Sequence, residues 1–331
     1  MKKIMLGLAA AAFSTVAAFA ADVKPAVVYD MGGKNDKSFN EAAYTGAEKF
    51  KAETGVDYRD FEIQNDAQRE QAMRRFAQEG YNPVVAIGFS QAAALEKVAK
   101  EFPDTKFAIV DMVVEQPNVR SILFSEEQGS YLVGVMAAKA SKTGKVGFVG
   151  GMDIPLIRKF ACGYVQGVKA TNPDAEVFQN MTGTTPAAWG DPVKGGELAK
   201  SQIDRGADVV YHAAGGTGIG VLQAAADANV LGIGVDSNQN GMHPGKVLTS
   251  MLKRVDTAVY DAFKDVQDDT WTAGFDVKDL AAEGVGYAMD ENNKDLVTAD
   301  IQSAVDAASA GIKDGSIKVH NFMDDSACPV Q

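Results

Sequence analysis

Two aspartates, Asp111 and Asp236, end two segments of the chain that share one plan and one length. Each segment starts at a Val-Val pair, at Val84 or Val209, passes a glycine turn and an alanine-rich stretch, and reaches its aspartate through an apolar run. A carboxylate just past the carboxyl end of a buried strand faces the crevice where open α/β sheets bind ligands. There it can accept hydrogen bonds from ligand hydroxyl groups. Two unrelated strand-helix-strand units could share this plan by coincidence, and the residues alone leave that alternative open.

A second group of polar residues forms the loop 30–40, between a predicted strand and a predicted helix. Asp30, Phe39 and Asn40 in this loop offer a carboxylate, an aromatic ring and an amide to a ligand in the cleft. Ser38 and Asn40 are predicted to cap the helix. From the residues alone, the alternative is a capped helix with Phe39 buried beneath it.

Motifs for catalysis are scarce in the sequence. The only imidazoles are those of His212, His243 and His320, and neither G-x-S-x-G nor H-E-x-x-H occurs. The glycines of Gly215–Gly220 follow a strand and open a helix, but their spacing differs from that of a dinucleotide fingerprint. We therefore expect a tight turn that brings backbone N–H groups close to a ligand. Together these observations predict a binding protein rather than an enzyme, with no cofactor and no metal site.

The elements that must position these residues are those of an α/β fold. Val- and Ile-rich runs alternate with helical patterns along nearly the whole chain, which is typical of parallel sheets covered on both faces. In the first predicted helix, Phe39, Ala43, Ala47 and Phe50 form an apolar stripe. The predicted strands are Ala26–Tyr29, Val84–Gly88, Phe107–Asp111, Lys145–Val149, Val209–Ala213, Leu231–Val235 and Val247–Leu252.

The amino terminus predicts export. A positive start at Lys2 and Lys3, an apolar run and the small-x-small site at residues 18–20 are typical of a signal peptide cleaved after Ala20. The run is shorter than the roughly 20 residues that a membrane-spanning helix needs. We therefore expect a soluble protein of a bacterial periplasm. The remaining chain is long enough for two lobes, which predicts a cleft.

Charge and cysteine content narrow the function further. The net charge is −12, which argues against binding to nucleic acid or to anionic membranes. Cys162 and Cys328 match no metal or redox spacing. In an oxidising compartment they could pair and hold the C-terminal tail to the second lobe, or they could remain two unpaired thiols.

Six motifs in one order resemble the basic membrane protein (BMP) family of substrate-binding proteins. They cover the chain from about residue 26 to 290, and as a set they are specific although each is weak alone. They are the G-G-x-x-D-x-S-F-N loop ending at Asn40, the block Gly144–Pro155, the Gly-Asp-Pro of Gly190–Pro192, the turn Ala213–Gly218, the Gly-Val-Asp of Gly234–Asp236 and the run Leu248–Lys253.

The resemblance implies a type I periplasmic binding fold, with two lobes joined by three crossings, that feeds an ABC importer. It implies a nucleoside ligand, most often a purine nucleoside, with riboflavin as a variation. The positions that match the family's ligand contacts are Asp30, Phe39, Asn40, Asp111, Trp189, Gly215, Asp236 and Lys253. A planar base held between Phe39 and Trp189 would gain stacking energy.

The chain departs from the family pattern at two places. Trp189 stands where the family commonly has phenylalanine, and no cysteine for lipid attachment follows the signal peptide. Tyr211 and His212 precede the glycine turn, and strand alternation allows only one of them to face a pocket.

We expect an N-terminal lobe of residues 21–125 plus about 254–283 and a C-terminal lobe of residues 126–253 plus about 284–331. Hinges are expected near Phe124-Ser125, Lys253-Arg254 and Leu280–Gly284. The expected protein is a monomer that delivers its ligand to an inner-membrane ABC permease. A sensory ligand-binding protein would share the same site, and a nucleoside hydrolase using Asp30 and Asp36 is a less favoured alternative.

Overall fold

The computed structural model describes residues 23–330. The predicted signal peptide and its cleavage site after Ala20 lie outside the described residues. Within 23–330, no helix is long and apolar enough to span a membrane.

Helices and strands alternate along the chain, joined in places by short 3-10 turns. In chain order they are β1 (Ala26–Tyr29), α1 (Phe39–Thr54), β2 (Arg59–Glu62), α2 (Ala67–Gln78), β3 (Val84–Ala86), α3 (Ala92–Glu101), β4 (Phe107–Val110), β5 (Val119–Phe124), α4 (Glu126–Ala140), β6 (Lys145–Met152), α5 (Pro155–Thr171), β7 (Glu176–Gly183), α6 (Pro192–Asp204), β8 (Val209–Ala213), α7 (Gly218–Asp227), β9 (Leu231–Asp236), β10 (Val247–Lys253), α8 (Val255–Gln267), β11 (Gly274–Lys278), β12 (Val285–Tyr287) and α9 (Ala299–Lys313).

The strands form two six-stranded sheets of the same design. Their orders are β11-β5-β4-β3-β1-β2 and β12-β10-β9-β8-β6-β7. Replacing β1–β5 by β6–β10, and β11 by β12, converts one order into the other. Neighbouring strands run parallel except β10 and β12. The α/β prediction is confirmed, and the two repeated segments occupy equivalent places as β3-α3-β4 and β8-α7-β9.

Sequence analysis missed all four edge strands, β2, β7, β11 and β12, and one interior strand, β5. Edge strands contact water along one side, so they lack the continuous apolar runs by which the other strands were predicted. In β5 the run is interrupted by Arg120, which is buried and lies 2.6 Å from the carboxylate of Asp265. Because of this charge, sequence analysis did not predict β5, although the strand is buried in the fold.

The chain passes between the two sheets three times. It leaves the first sheet after Phe124, returns after Lys253, and crosses again between β11 and β12. The crossing segments contact one another, since the N–H of Ser125 donates to the carbonyl of Lys278 and that of Arg254 donates to the carbonyl of Gly284. These crossings coincide with the positions where hinges are predicted. The lobe boundaries and the hinge movement stay predictions.

Helices α4 and α5 pack unusually closely because glycines face the neighbouring backbone. A Cβ at Gly163 would lie 2.3 Å from the carbonyl oxygen of Glu127, and one at Gly167 would lie 2.1 Å from that of Tyr131. These distances are too short for any side chain, so both positions require glycine.

We expect Gly163→Ala to lower the free energy of unfolding by about 1–3 kcal/mol, because the added methyl group forces the two helices apart. Urea unfolding followed by circular dichroism measures the change. Gly286→Ala is the control, since no atom lies within 4 Å of a Cβ added there. Equal unfolding curves for the two variants would contradict the predicted packing.

The C-terminal tail is attached to α5. Cys162 and Cys328 form a disulfide. The side-chain amide of Gln166 accepts a hydrogen bond from the backbone N–H of His320 and donates one to its carbonyl. The tail thus lies against the second sheet's half of the molecule, as the pairing alternative of the sequence analysis expects.

Candidate functional site

A cavity lies between the carboxyl ends of the two sheets. The space between its lining residues, including the part that is open to solvent, is about 590 Å³. It is lined by Asp30, Met31, Asp36, Phe39, Asn40, Gly88, Phe89, Asp111, Leu156, Ile157, Phe160, Trp189, Ala213, Ala214, Gly215, Val235, Asp236 and Lys253.

All eight residues predicted as ligand contacts line this one cavity. Asp30, Phe39, Asn40 and Asp111 come from the first sheet and its connections. Trp189, Gly215, Asp236 and Lys253 come from the second. Both halves of the molecule therefore contribute polar and aromatic groups to the same space.

The two repeated aspartates share an uncommon backbone conformation. Asp111 has φ of 71° and Asp236 has φ of 63°, each at the carboxyl end of its strand. Residues other than glycine adopt this left-handed region rarely, and such positions concentrate at functional sites. The conformation turns the chain away from the sheet at the point where each carboxylate reaches the cavity.

The N-terminus of α1 is capped by Asp36, not by the residues that the sequence predicted. The carboxylate of Asp36 accepts hydrogen bonds from the backbone N–H groups of Ser38, Asn40 and Glu41, at 2.9 to 3.0 Å. Neither Ser38 nor Asn40 caps the helix with its side chain, because both are used elsewhere. The prediction of these caps was wrong, and Asp36, which sequence analysis considered only for a hydrolase, lines the cavity.

Ser38 and Asn40 instead hold two aspartates of the cavity. The hydroxyl of Ser38 donates to Oδ2 of Asp236, which joins the first half of the molecule to the second. The amide of Asn40 accepts from the N–H of Asp30 at 3.1 Å and donates to its carbonyl at 3.4 Å. The first loop thus serves as support for the carboxylates as well as cavity wall.

Asp30 is held by a set of donors behind the cavity. Arg69, which is buried, donates to Oδ1 at 3.0 Å, and the hydroxyl of Ser90 lies 2.9 and 2.8 Å from the two oxygens. Gly88 makes room for this carboxylate, because a Cβ there would lie 2.5 Å from Oδ2. Arg69 was not singled out in the sequence, where it resembles any arginine of a surface helix.

Lys253 is the cation among the carboxylates that line the cavity, and it is almost fully buried. Its ammonium donates to Oδ2 of Asp111 at 2.7 Å and lies 2.8 Å from Oε1 of Glu126. The rings of Phe39, Phe124 and Phe160 surround it, with centroids 5.1 to 5.6 Å away. Burial works to lower the pKa of Lys253, but the neighbouring carboxylates outweigh burial and raise it, so the lysine stays charged.

One oxygen of Asp111 is an unused acceptor. Oδ1 is buried and has no hydrogen-bond partner among the described residues. Burial raises the pKa of Asp111 to about 6, although Lys253 opposes the rise. A buried acceptor without a partner costs free energy, which a donor from a bound molecule would recover.

The walls of the cavity are apolar. Trp189, Phe39 and Phe160 supply rings, and Leu156 and Ile157 supply aliphatic side chains. The Trp189 ring fits against the backbone of Gly151, where a Cβ would lie 2.2 Å from the ring. A flat, apolar group with polar substituents at its edge matches this combination of surfaces.

Neither Tyr211 nor His212 lines the cavity. Tyr211 packs edge-on against Phe148 and contacts the hydroxyl of Ser130 at 3.2 Å. His212 is fully buried, its Nε2 lies 2.9 Å from Gln239, and burial lowers its pKa to about 4. Both residues are packed inside the second half of the molecule, so neither takes the place at the cavity that strand alternation allows to one of them.

Asp236 gives the site a pH-dependent stability. Burial raises its pKa to about 7, although Lys253 and Ser38 oppose the rise. This value exceeds 3.8, the usual pKa of aspartate. The contribution of Asp236 to the free energy of unfolding is therefore fully present below about pH 4 and is lost as the pH rises through 7.

We therefore expect Asp236→Asn, which cannot ionise, to unfold at a higher temperature than the wild type at pH 8, with the gap closing near pH 4. Scanning calorimetry at the two pH values tests this. The exposed Asp104→Asn serves as control and should follow the wild type at both. A wild type more stable than Asp236→Asn at pH 8 would contradict the assignment.

No group of three or more His, Cys, Asp or Glu side chains within residues 23–330 is arranged to hold a metal ion. The carboxylates of the cavity are instead bound to arginine, lysine, serine and backbone donors.

Two α/β halves that enclose a cavity of this kind define a two-lobed solute-binding protein. A family model, described as the PnrA-like ABC transporter substrate-binding proteins (Bmp), matches residues 23–321. The chain belongs to this family of ABC transporter substrate-binding proteins, and the predicted resemblance is confirmed.

Three relatives illustrate the similarity. The nucleoside-binding ABC transporter protein BmpA of Lactococcus lactis subsp. cremoris is 34% identical, with 96% of this chain and 99% of that protein covered. A lipoprotein of Pyrococcus abyssi is 37% identical over 80% of this chain and 69% of its own length. A solved solute-binding protein of an ABC transporter system from Aeropyrum pernix K1 is 30% identical with a TM-score of 0.84, over 92% of this chain and 95% of that one. Two of these three relatives are binding proteins of ABC transporters by name.

Proposed function

We propose that the protein binds a nucleoside in this cavity and delivers it to an inner-membrane ABC permease. A purine nucleoside is the first candidate. The observation that carries the proposal is the unpartnered Oδ1 of Asp111 in a cavity with aromatic walls. A ribose hydroxyl is a donor that satisfies such an acceptor.

The base would lie against the aromatic side chains. Phe39 comes from the first half of the molecule and Trp189 from the second. Stacking of a base on an aromatic side chain contributes about 1–3 kcal/mol per base. The wider ring of Trp189 also suits a flavin, which keeps riboflavin as the second candidate ligand.

The sugar would contact the carboxylates. Asp111 and Asp236 approach from opposite halves, and Lys253 donates to one of them. Carboxylates are strong acceptors for hydroxyl donors. A neutral ligand rich in donors fits a cavity with carboxylates in excess over cations.

Binding would favour the closed arrangement. Direct contacts already connect the halves near the site, where Ser237 donates to the carbonyl of Ser38 and Gln239 to that of Lys37, at 2.8 and 2.9 Å. A ligand that contacts Asp111 and Asp236 together gains its full affinity only when the halves are close, so it shifts the population toward closure.

The proposed location is the periplasm, with the signal peptide cleaved after Ala20, and the proposed state is a monomer. BmpA of Lactococcus lactis carries a nucleoside-binding name, and the Pyrococcus relative is a lipoprotein.

The ligand carried by the protein from its own cells tests the binding proposal without assuming an identity. Protein purified without unfolding is denatured, and the released small molecules are identified by mass spectrometry. We expect a purine nucleoside, and none from Asp236→Ala. Release of a sugar or peptide instead would overturn the ligand class, and release of riboflavin would favour the second candidate.

Delivery to a permease is tested by uptake. Cells that lack the gene should take up radiolabelled nucleoside more slowly than cells that carry it. Unchanged uptake with intact binding would indicate a sensory protein instead.

A further inference from the structure

Beneath the cavity lies a row of buried charged side chains that extends from one half of the molecule to the other. Asp111 pairs with Lys253, Lys253 with Glu126, and Glu126 with Lys159. Lys159 also lies 3.2 Å from Glu127. The side chains of all five are at most 10% exposed. Charges buried this deeply persist only when they are paired, so the row is a built feature of the fold.

Glu126 is the centre of this row. Its Oε1 lies 2.8 Å from the ammonium of Lys253, and its Oε2 lies 2.8 Å from that of Lys159. Burial works to raise the pKa of Glu126, but the two lysines outweigh burial and lower it to about 2. The two lysines therefore favour the ionised form of Glu126.

The row is located at the crossings between the halves. Glu126 begins α4 directly after the first crossing, and Lys253 ends β10 directly before the second. Lys159 donates to the carbonyl of Phe124 at 2.6 Å, which fixes the end of β5 as well. Glu126, at the first crossing, is thus joined directly to Lys253, the cavity lysine at the second crossing.

We propose that Glu126 is a positioning residue for the ligand site: it holds the Lys253 ammonium at the base of the cavity, and Lys159 holds Glu126. Glu126 does not line the cavity, so its effect on a ligand passes through Lys253. The consequence for affinity rests on the proposed nucleoside function, whereas the placement of Lys253 does not.

A double-mutant cycle on the full-length mature protein, with inosine as probe in calorimetry, tests the transmission through Lys253. We expect Glu126→Met to weaken binding about tenfold, and to weaken it no further in a Lys253→Met background, because a residue that acts through Lys253 has no effect once Lys253 is gone. The double variant should also unfold at a higher temperature than Lys253→Met alone, since the row then holds two buried carboxylates instead of three for its one remaining ammonium, that of Lys159.

Glu127→Met is the matched control. Glu127 is the next residue of α4, is buried and contacts Lys159, but it does not contact Lys253. Inosine affinity should be the same in Glu127→Met as in the wild type. Equal losses in Glu126→Met and Glu127→Met, or additive losses in the cycle, would show a general structural effect and overturn the proposal.

Crystal structures of the ligand-free variants separate this inference from the proposed function. In Glu126→Met, the Lys253 ammonium should leave its position or occupy more than one, whereas in Glu127→Met it should remain 2.7 Å from Asp111. If the wild type binds no nucleoside, the proposed function fails, and these structures alone decide whether Glu126 positions Lys253. An ammonium unmoved in Glu126→Met overturns the positioning role.

Discussion

Lys253→Met is expected to lower the free energy of unfolding by about 3–5 kcal/mol, because it leaves Asp111 and Glu126 as buried carboxylates that have lost a cation. Inosine affinity should fall at least as far as in Glu126→Met, since Lys253 lines the cavity itself. Urea unfolding measures the first effect and calorimetry the second.

Lys100→Met provides the comparison for this large effect. Lys100 also pairs with a carboxylate, Glu96, but its side chain is 57% exposed. Exposed pairs of this kind contribute about 0–1 kcal/mol, so its loss should hardly change stability. Similar stability changes for the two lysines would contradict the importance assigned to the buried pair.

Trp189→Ala is expected to weaken purine nucleoside binding by about 5- to 150-fold, which corresponds to the loss of about 1–3 kcal/mol of base stacking. Trp189→Phe should retain most of the affinity because a planar ring remains. Calorimetry with inosine measures both variants.

The chain offers a matched control in its other tryptophan. Trp271 packs near Arg120, at a ring distance of 5.4 Å, and is not part of the cavity. Trp271→Ala should therefore leave the affinity unchanged. Wild-type affinity in Trp189→Ala would remove the stacking role proposed for that ring.

The main features of the site could be predicted because they follow the sheet. Asp111 and Asp236 each end an apolar run, so the repeated pattern of the sequence marks two equivalent strand ends. Parallel strands direct such ends toward one crevice. The resemblance carried by the six motifs assigned Trp189 and Lys253 to the site as well, although no hydrophobic periodicity in the sequence points to these two residues.

Other features depend on contacts between distant parts of the chain. Asp36 competes with Ser38 and Asn40 for the helix N-terminus, and only the three-dimensional loop shows which carboxylate meets the free N–H groups. Glu126 and Lys159 lie on different helices, so their pairing leaves no spacing in the sequence. Buried ion pairs of this kind resemble ordinary surface charges until the fold brings them together.

Function and stability oppose each other at the cavity. Asp236 costs stability above neutral pH because its ionised form is buried, and Asp111 keeps an unpaired oxygen. Groups that a ligand must contact are left unsatisfied by the protein itself, which is a recurrent cost of binding sites. A ligand that pairs with both carboxylates should therefore stabilise the protein by mass action.

Calorimetric titration of the refolded, ligand-stripped protein tests the central claim most directly. Adenosine, guanosine, inosine, uridine and riboflavin are titrated into the wild type and into Asp236→Ala. We predict saturable one-to-one binding of at least one purine nucleoside to the wild type and a loss of that binding in the variant. No heat with any of the five compounds, or equal affinity in Asp236→Ala, would contradict a nucleoside site between the two sheets.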